Sequence, residues 1–339
     1  MSHLTRRTIL KGAAAGLAAA GAFSLATPSR AAEFSFKLGA DWPSDHPSSV
    51  QARIACDRVR TESGGRLDIQ FFPNNQLGGD TDMLSQVRQG ALEMMLIPTG
   101  VLSTLSPVAA INNVGMAFDN YDQVWNAMDG ALGAMVRNEL TKFGLVTMDR
   151  IWDNGFRQLT TGSKQVNDFK DVQGLKIRVP VSPIFISLWK AFGASPASAN
   201  INELYTALQT KVFDGQENAI PHLQFYRFYE VQKYCALTSH MWEGFWMISG
   251  RKVWGRLPAD LQDMVQHIFN EEAITQRRLL AQFSSGIKEK LISEGMIFSS
   301  PDRAPFQEAL TRGGFYAEWR KTFGDEAWSL LESSTRKLV

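Results

Sequence analysis

Arg178 is the residue whose position asks for a chemical reason. It lies in GLKIRVPVSPIF, Gly174 to Phe185, between Ile177 and Val179 in a run that otherwise reads as a buried strand. A guanidinium gives a carboxylate two parallel charge-assisted hydrogen bonds, and burying it without an anion is costly. The anion is either a ligand's carboxylate or an acid of the chain itself, such as Asp171 or Glu217. A second arginine, Arg157, stands in WDNGFRQLTTGSK, and VFDGQENAI packs Asp214, Gln216, Glu217 and Asn218 into one short stretch after a helix. Trp42, Trp152, Trp242 and Trp246 fall near strand ends, where open α/β sheets present loops to ligands, and each is either core or pocket wall. DWPSDHPS, Asp41 to Ser48, is either a loop facing a cleft or an ordinary proline-rich turn.

Motifs for catalysis are missing. The chain has no Gly-x-Gly-x-x-Gly, phosphate loop, nucleophile elbow, His-Glu-x-x-His or Cys-x-x-Cys. Beyond the first 31 residues, His46, His222, His240 and His267 stand alone, and no acidic cluster accompanies them, so neither a metal nor a cofactor is expected. Binding, not catalysis, is the expected activity.

The N-terminal stretch TRRTILKGAAAGLAAAGAFSLATPSRAAEF pairs Arg6 with Arg7, runs through uncharged small residues, and closes on a small-residue site near Ala31. It reads as a cleaved twin-arginine export signal over residues 1–31, which places the mature chain in the periplasm. Removing it takes four of the 35 basic residues and none of the 34 acidic ones, leaving 31 against 34, a net charge of −3. That balance excludes a nucleic-acid partner. No later stretch has the length of a membrane span, so no stable membrane insertion of the mature chain is expected. Cys56 and Cys235 are either a disulfide or two buried apolar residues, and the second reading is preferred.

Strand-like and helical runs alternate, which predicts an α/β fold with mostly parallel sheets in two domains. FSFKLGAD, RLDIQFFP, LEMMLIP, LVTMDRIW, GLKIRVP, YCALTSH and EGFWMIS read as strands. A helix after Pro47 is expected to bury Val50, Ile54 and Val59, and another, opening at an Asp or Thr cap, to bury Met83, Leu84 and Val87 and stop at Gly90. Tyr121 to Phe143 reads as one helix. Asn200 and Glu203 suggest a capping box. From Ala259 to Glu294 the helical pattern is almost unbroken, which suggests a helix that crosses between domains.

NGFRQLTT, DVQGLKIRVP and GASPASANINELYTALQTKVFDGQEN, together with the earlier FFPNNQLGGDTDMLSQVRQGALEM, occur in an order that resembles the solute-binding proteins of TRAP (tripartite ATP-independent periplasmic) transporters. The resemblance implies two interleaved lobes, hinge strands and a long crossing helix, with lobe I at 32–155 and 244–283 and lobe II at 156–243 and 284–339. It implies that Arg178 holds the carboxylate of an organic acid, with Arg157 as a second nearby cation and Asn218 as a hydrogen-bonding neighbour; Gln216 of the same segment joins them. Many relatives place Asn or Gln directly after RVP, whereas this chain has Val181. With Trp42, Trp152 and Trp242 near the cleft and Asp41 in its first loop, the expected ligand is an aromatic, branched or 2-oxo acid. A sugar acid, a C4-dicarboxylate or a role as ligand-reporting partner of a membrane sensor is the alternative. A monomer that hands its ligand to a membrane permease completes the expectation.

Overall fold

The computed structural model describes residues 32–338, so the export reading of residues 1–31 lies outside the described residues. Within them are ten strands: β1 Phe34–Gly39, β2 Leu67–Phe72, β3 Met94–Pro98, β4 Leu145–Thr147, β5 Trp152–Thr161, β6 Lys176–Val179, β7 Ser195–Ser198, β8 Gly215–Ala219, β9 Tyr234–Gly250 and β10 Ile297–Ser299. They form one sheet in the order β2-β1-β3-β9-β5-β8-β6-β7, with β4 and β10 also pairing with β9. β1 is parallel to β2 and β3, and β6 is parallel to β7 and β8. The two parallel groups are tied together by the antiparallel pair β5 and β9, which run from Trp152 opposite Phe245 to Thr161 opposite Tyr234.

β9 is a single strand of 17 residues where the sequence suggested two. Met241 and Trp242, which separated the two expected strands, lie within it. Ser239 takes φ +40°, and the side chain of Gln158 bonds its amide and hydroxyl at 2.8 and 3.0 Å. The pairing with β5 shifts register near Arg157 and again beside Gly155, whose φ of +113° a side chain would resist.

The helix at Ala259–Ser293 has 35 residues, about 52 Å at the usual rise, and its two ends lie in different cores. Leu261, Val265, Ile268, Phe269 and Ala273 pack with β1, β3 and the helix Pro47–Glu62. Ile287 and Leu291 pack with Leu204, Leu208, Leu223 and Phe228. Gln276 clamps the start of β5: it accepts from the Asp153 amide at 2.9 Å, donates to the Asp153 carbonyl at 2.9 Å and reaches Ser48 at 2.8 Å. The next residue, Arg277, holds the Ile151 carbonyl and both carboxylate oxygens of Asp129.

Several local expectations change. Helix Pro47–Glu62 exposes Val50 and Ile54 and buries Ala52, Ala55 and Cys56 with Val59. The small residues let it lie close against the long helix, to which Gln51 and Arg58 are bonded through Glu272. Tyr121 to Phe143 is two helices, Tyr121–Met128 and Ala131–Thr141, broken at Asp129-Gly130. A side chain on Gly133 would meet the Met128 carbonyl at 1.8 Å, so the chain turns sharply there. Helix Asp80–Gln89 starts from Gly79, whose amide donates to Asp82 at 3.2 Å, but it buries Met83, Leu84 and Val87 and ends at Gly90 as the pattern indicated. Asn200 forms no capping box with Glu203; its amide instead donates to Thr81 at 3.2 Å. Cys56 and Cys235 are both buried and free.

Candidate functional site

The carboxyl ends of β1, β3, β6 and β8 converge on the middle of β5 and β9. Open parallel sheets bind ligands at such ends, because the loops there are free to carry polar side chains. Asp41 follows β1, Asp80 opens the helix after β2, and Pro98 ends β3. From the other parallel group come Arg178 and Pro180 of β6 and its exit, Asn218 of β8, and Ile201 and His222 of the helices that follow β7 and β8. Asn154 and Arg157 of β5, with Glu243 and Phe245 of β9, close the floor. These twelve residues surround a cavity of about 20 Å³, roughly the room of one water molecule. A ligand of several carbons therefore enters only by parting the walls.

The two arginines differ in how they are held. Arg157 is 2% exposed and fully committed: its Nε and Nη2 grip the Glu217 carboxylate and carbonyl, and its Nη1 bonds Glu243. Phe185 covers the guanidinium at 5.1 Å. His240 adds a contact to Glu217 at 3.1 Å, and the Gly100 amide donates to Glu243 at 3.3 Å. Burial works against ionisation of both acids. At Glu217 the arginine and His240 prevail and hold the pKa low, whereas at Glu243 burial prevails and the pKa rises.

Arg178, equally buried at 2%, bonds only the Ala199 carbonyl, through Nε at 2.9 Å and Nη2 at 2.6 Å. Among the described residues no carboxylate forms an ion pair with it. Glu217 belongs to Arg157 and His240, and Asp171 is held by Lys164 and the amides of Asn167 and Asp168. Burial, and then the charge of Arg157, lower the Arg178 pKa to about 10, which leaves it a cation at neutral pH. Asp80 is pushed up to about 6 by burial, with Arg178 opposing, and Asp41 is raised well above the usual range by burial and by the neighbouring Asp80 and Glu243.

Of the residues singled out in the sequence, the structure brings Arg178, Arg157, Asn218 and Asp41 into one wall. Asn218 also accepts from the Ala219 amide at 3.0 Å. The others stand behind it. Trp42 is fully buried against Phe245, ring centres 4.3 Å apart, and stacks on His46. Trp152 lies behind Trp42, against Phe269. Trp242 donates to Asp153 at 2.9 Å and packs on Trp125, and Trp246 is likewise core. Gln216 turns away to bond Thr160 at 2.7 Å, and Val181 is half-buried one residue past the lining Pro180. The sequence reading missed Asp80, Asn154, His222 and Glu243. Glu243 carried a usable signal, a lone charge in the apolar run MWEGFW, the same anomaly that marked Arg178.

Residues 38–319 match the family model for bacterial extracellular solute-binding protein, family 7. The chain belongs to this family. It is 30% identical over 281 residues to the sialic acid-binding periplasmic protein of Vibrio cholerae, covering 83% of this chain and 86% of that one. An uncharacterized protein of Sinorhizobium fredii is 33% identical over 279 residues, which is 82% of this chain and 51% of the relative, so this chain spans about half that relative's length. Among solved structures, a TRAP periplasmic solute-binding protein from Polaromonas with bound D-erythronate superposes with a TM-score of 0.85 at 28% identity, covering 88% of this chain and 98% of that one. Another, from Sulfurospirillum deleyianum with bound succinate, gives 0.84 at 25% identity, covering 90% and 100%. Family 7 membership thus accounts for the architecture: a mixed α/β sheet of the two-lobed binding-protein type, its lobes joined through β5, β9 and the long helix. No described helix is long and apolar enough to cross a membrane, and no described group of three His, Cys, Asp or Glu is placed to hold a metal ion.

Proposed function

We propose that this protein captures a small organic acid outside the cytoplasm, closes over it, and hands it to a TRAP-type membrane permease without altering it chemically. The observation that carries the reading is Arg178: a buried guanidinium that faces the cavity and has no carboxylate partner of its own. An anion that arrives there gains charge-assisted bonds from a guanidinium to which no carboxylate is bonded, so its affinity has a physical source. Lobe I comprises 32–155 and 244–283, and lobe II 156–243 and 284–339; closure brings Asp41 and Asp80 of the first against Arg178 and Asn218 of the second. Because the ligand touches both lobes, it stabilises the closed form.

The lining favours a compact polar acid over an aromatic or branched one, since Trp152, Trp242 and Val181 are outside it and eight of its twelve residues are polar or charged. The relatives solved with succinate and D-erythronate hold acids of that kind. A thermal-shift screen of carboxylates, followed by calorimetry of the hits, tests the proposal: a hit raises the melting temperature with its concentration by mass action and is recovered unchanged. Conversion of the acid on incubation, or no hit among carboxylates, refutes it.

A further inference from the structure

Charges around the cavity do not cancel pair by pair. Arg157, Glu217 and Glu243 form a closed set. Outside it stand one guanidinium, Arg178, and two buried carboxylates, Asp41 and Asp80, 3% and 4% exposed, neither of which is ion-paired among the described residues. Asp41 Oδ1 has no hydrogen-bond partner, and Asp80 receives one long bond, from Asn75 at 3.4 Å. Asn154 Oδ1, in the same wall, is also buried and without a partner. Three acceptors thus face one small space, and among the described residues the one side chain that donates to them is Asn75, at 3.4 Å from Asp80.

A hydroxyl from a ligand supplies one donor and no charge, which leaves the two adjacent acids with no cation between them. A quaternary ammonium supplies charge but no N–H. A protonated amine supplies both, with as many as three donors on one atom. The inference rests on the carboxylate-binding reading of Arg178 and adds a second pole to its ligand. We infer that the cleft is built for a zwitterion, an amino acid or related amine-bearing acid whose carboxylate lies on Arg178 and whose protonated amine lies between Asp41 and Asp80 near Asn154. The position of Asp80 in the first turn of its helix keeps it anionic once the amine is present, since the helix N-terminus favours negative charge.

The test pairs solutes that differ only at the second pole. Alanine, β-alanine and 4-aminobutyrate are titrated against lactate, 3-hydroxypropionate and 4-hydroxybutyrate, with proline, glutamate, succinate and D-erythronate added, by calorimetry of the whole mature chain in EDTA near neutral pH. The expected result is that at least one amine-bearing acid binds about tenfold or more tightly than its hydroxyl counterpart. Asp41→Asn and Asp80→Asn, close in shape to the native residues, then each weaken that amine-bearing acid about tenfold while changing its counterpart less than about threefold. Melting curves without ligand check that both variants fold, and either one alone suffices. Binding confined to acids without an amine, binding of an amine-bearing acid unaffected in the folded Asn variants, or binding that requires an added divalent cation overturns the zwitterion and leaves the carboxylate reading standing. If no acid of either series binds, the zwitterion falls, and the carboxylate reading falls with it only if the wider carboxylate screen also yields no hit.

Discussion

Replacing Arg157 with leucine should cost the protein far more than its own bonds. The side chain is buried and supplies the cation for two buried acids, Glu217 and Glu243, so its removal strands both charges. Breaking a buried ion pair from one side typically costs ~3–5 kcal/mol. Residues 32–339 number 308. At the usual unfolding entropy per residue their total is ~0.65 kcal/mol/K at the midpoint, so the loss corresponds to a fall of about 5–8 °C in melting temperature. Differential scanning calorimetry of the unliganded variant reads it directly. The triple variant Arg157→Leu, Glu217→Gln, Glu243→Gln should recover much of the fall, because the stranded charges are gone and residues in one network are not additive. A fall below ~2 °C for Arg157→Leu, or no recovery in the triple variant, would refute the argument that this arginine is committed to its own acids.

Other predictions follow the same logic. Gln276→Leu removes the bonds to both backbone groups of Asp153 and to Ser48, and should lower unfolding free energy by ~2–4 kcal/mol in urea titration; a loss under ~1 kcal/mol would show that the clamp on β5 is dispensable. His46 is neutral in the fold, where burial pulls its pKa from 6.5 to about 3. The unfolded chain binds the extra proton below pH ~6.5, so stability falls as pH drops through that point, by ~2 kcal/mol at pH 5. His46→Phe should flatten that part of the pH profile, and an unchanged slope would assign it to other groups. Cys56 and Cys235, buried with thiol pKa values raised chiefly by burial, should resist a thiol reagent in the native protein and both react after denaturation; rapid native labelling would contradict their burial.

Arg178 and the long helix were legible in the sequence for different reasons. A charge inside a four-residue strand calls for an anion, a ligand's or the chain's own, and a helical pattern of 35 residues outruns a single core. The direction of the tryptophans was not legible. β5 and β9 are buried on both faces over most of their length, so alternation does not distinguish cavity from core, and Trp152 and Trp242 look the same from either side. Asp80 was hidden because an acid after Gly78-Gly79 is an ordinary helix start; only the return of β6 and β8 brings it into one cavity lining with Arg178. His222 follows Pro221 in a short helix, where a histidine beside a proline reads as an ordinary helix start. Exposure of Val50 and Ile54 ran against periodicity because the packing partner is another helix approached through alanines.

Calorimetric titration of wild type, Arg178→Ala and Arg178→Lys with the best-binding acid tests the central claim most directly. The account predicts a loss of at least ~100-fold in Arg178→Ala, close to 3 kcal/mol, and partial recovery in Arg178→Lys, which keeps the charge without the fork. It also predicts melting temperatures without ligand within ~3 °C of wild type, since only the Ala199 carbonyl loses a donor. Wild-type affinity in Arg178→Ala, or collapse of that variant with no ligand present, would contradict the claim that this guanidinium is kept for an incoming carboxylate.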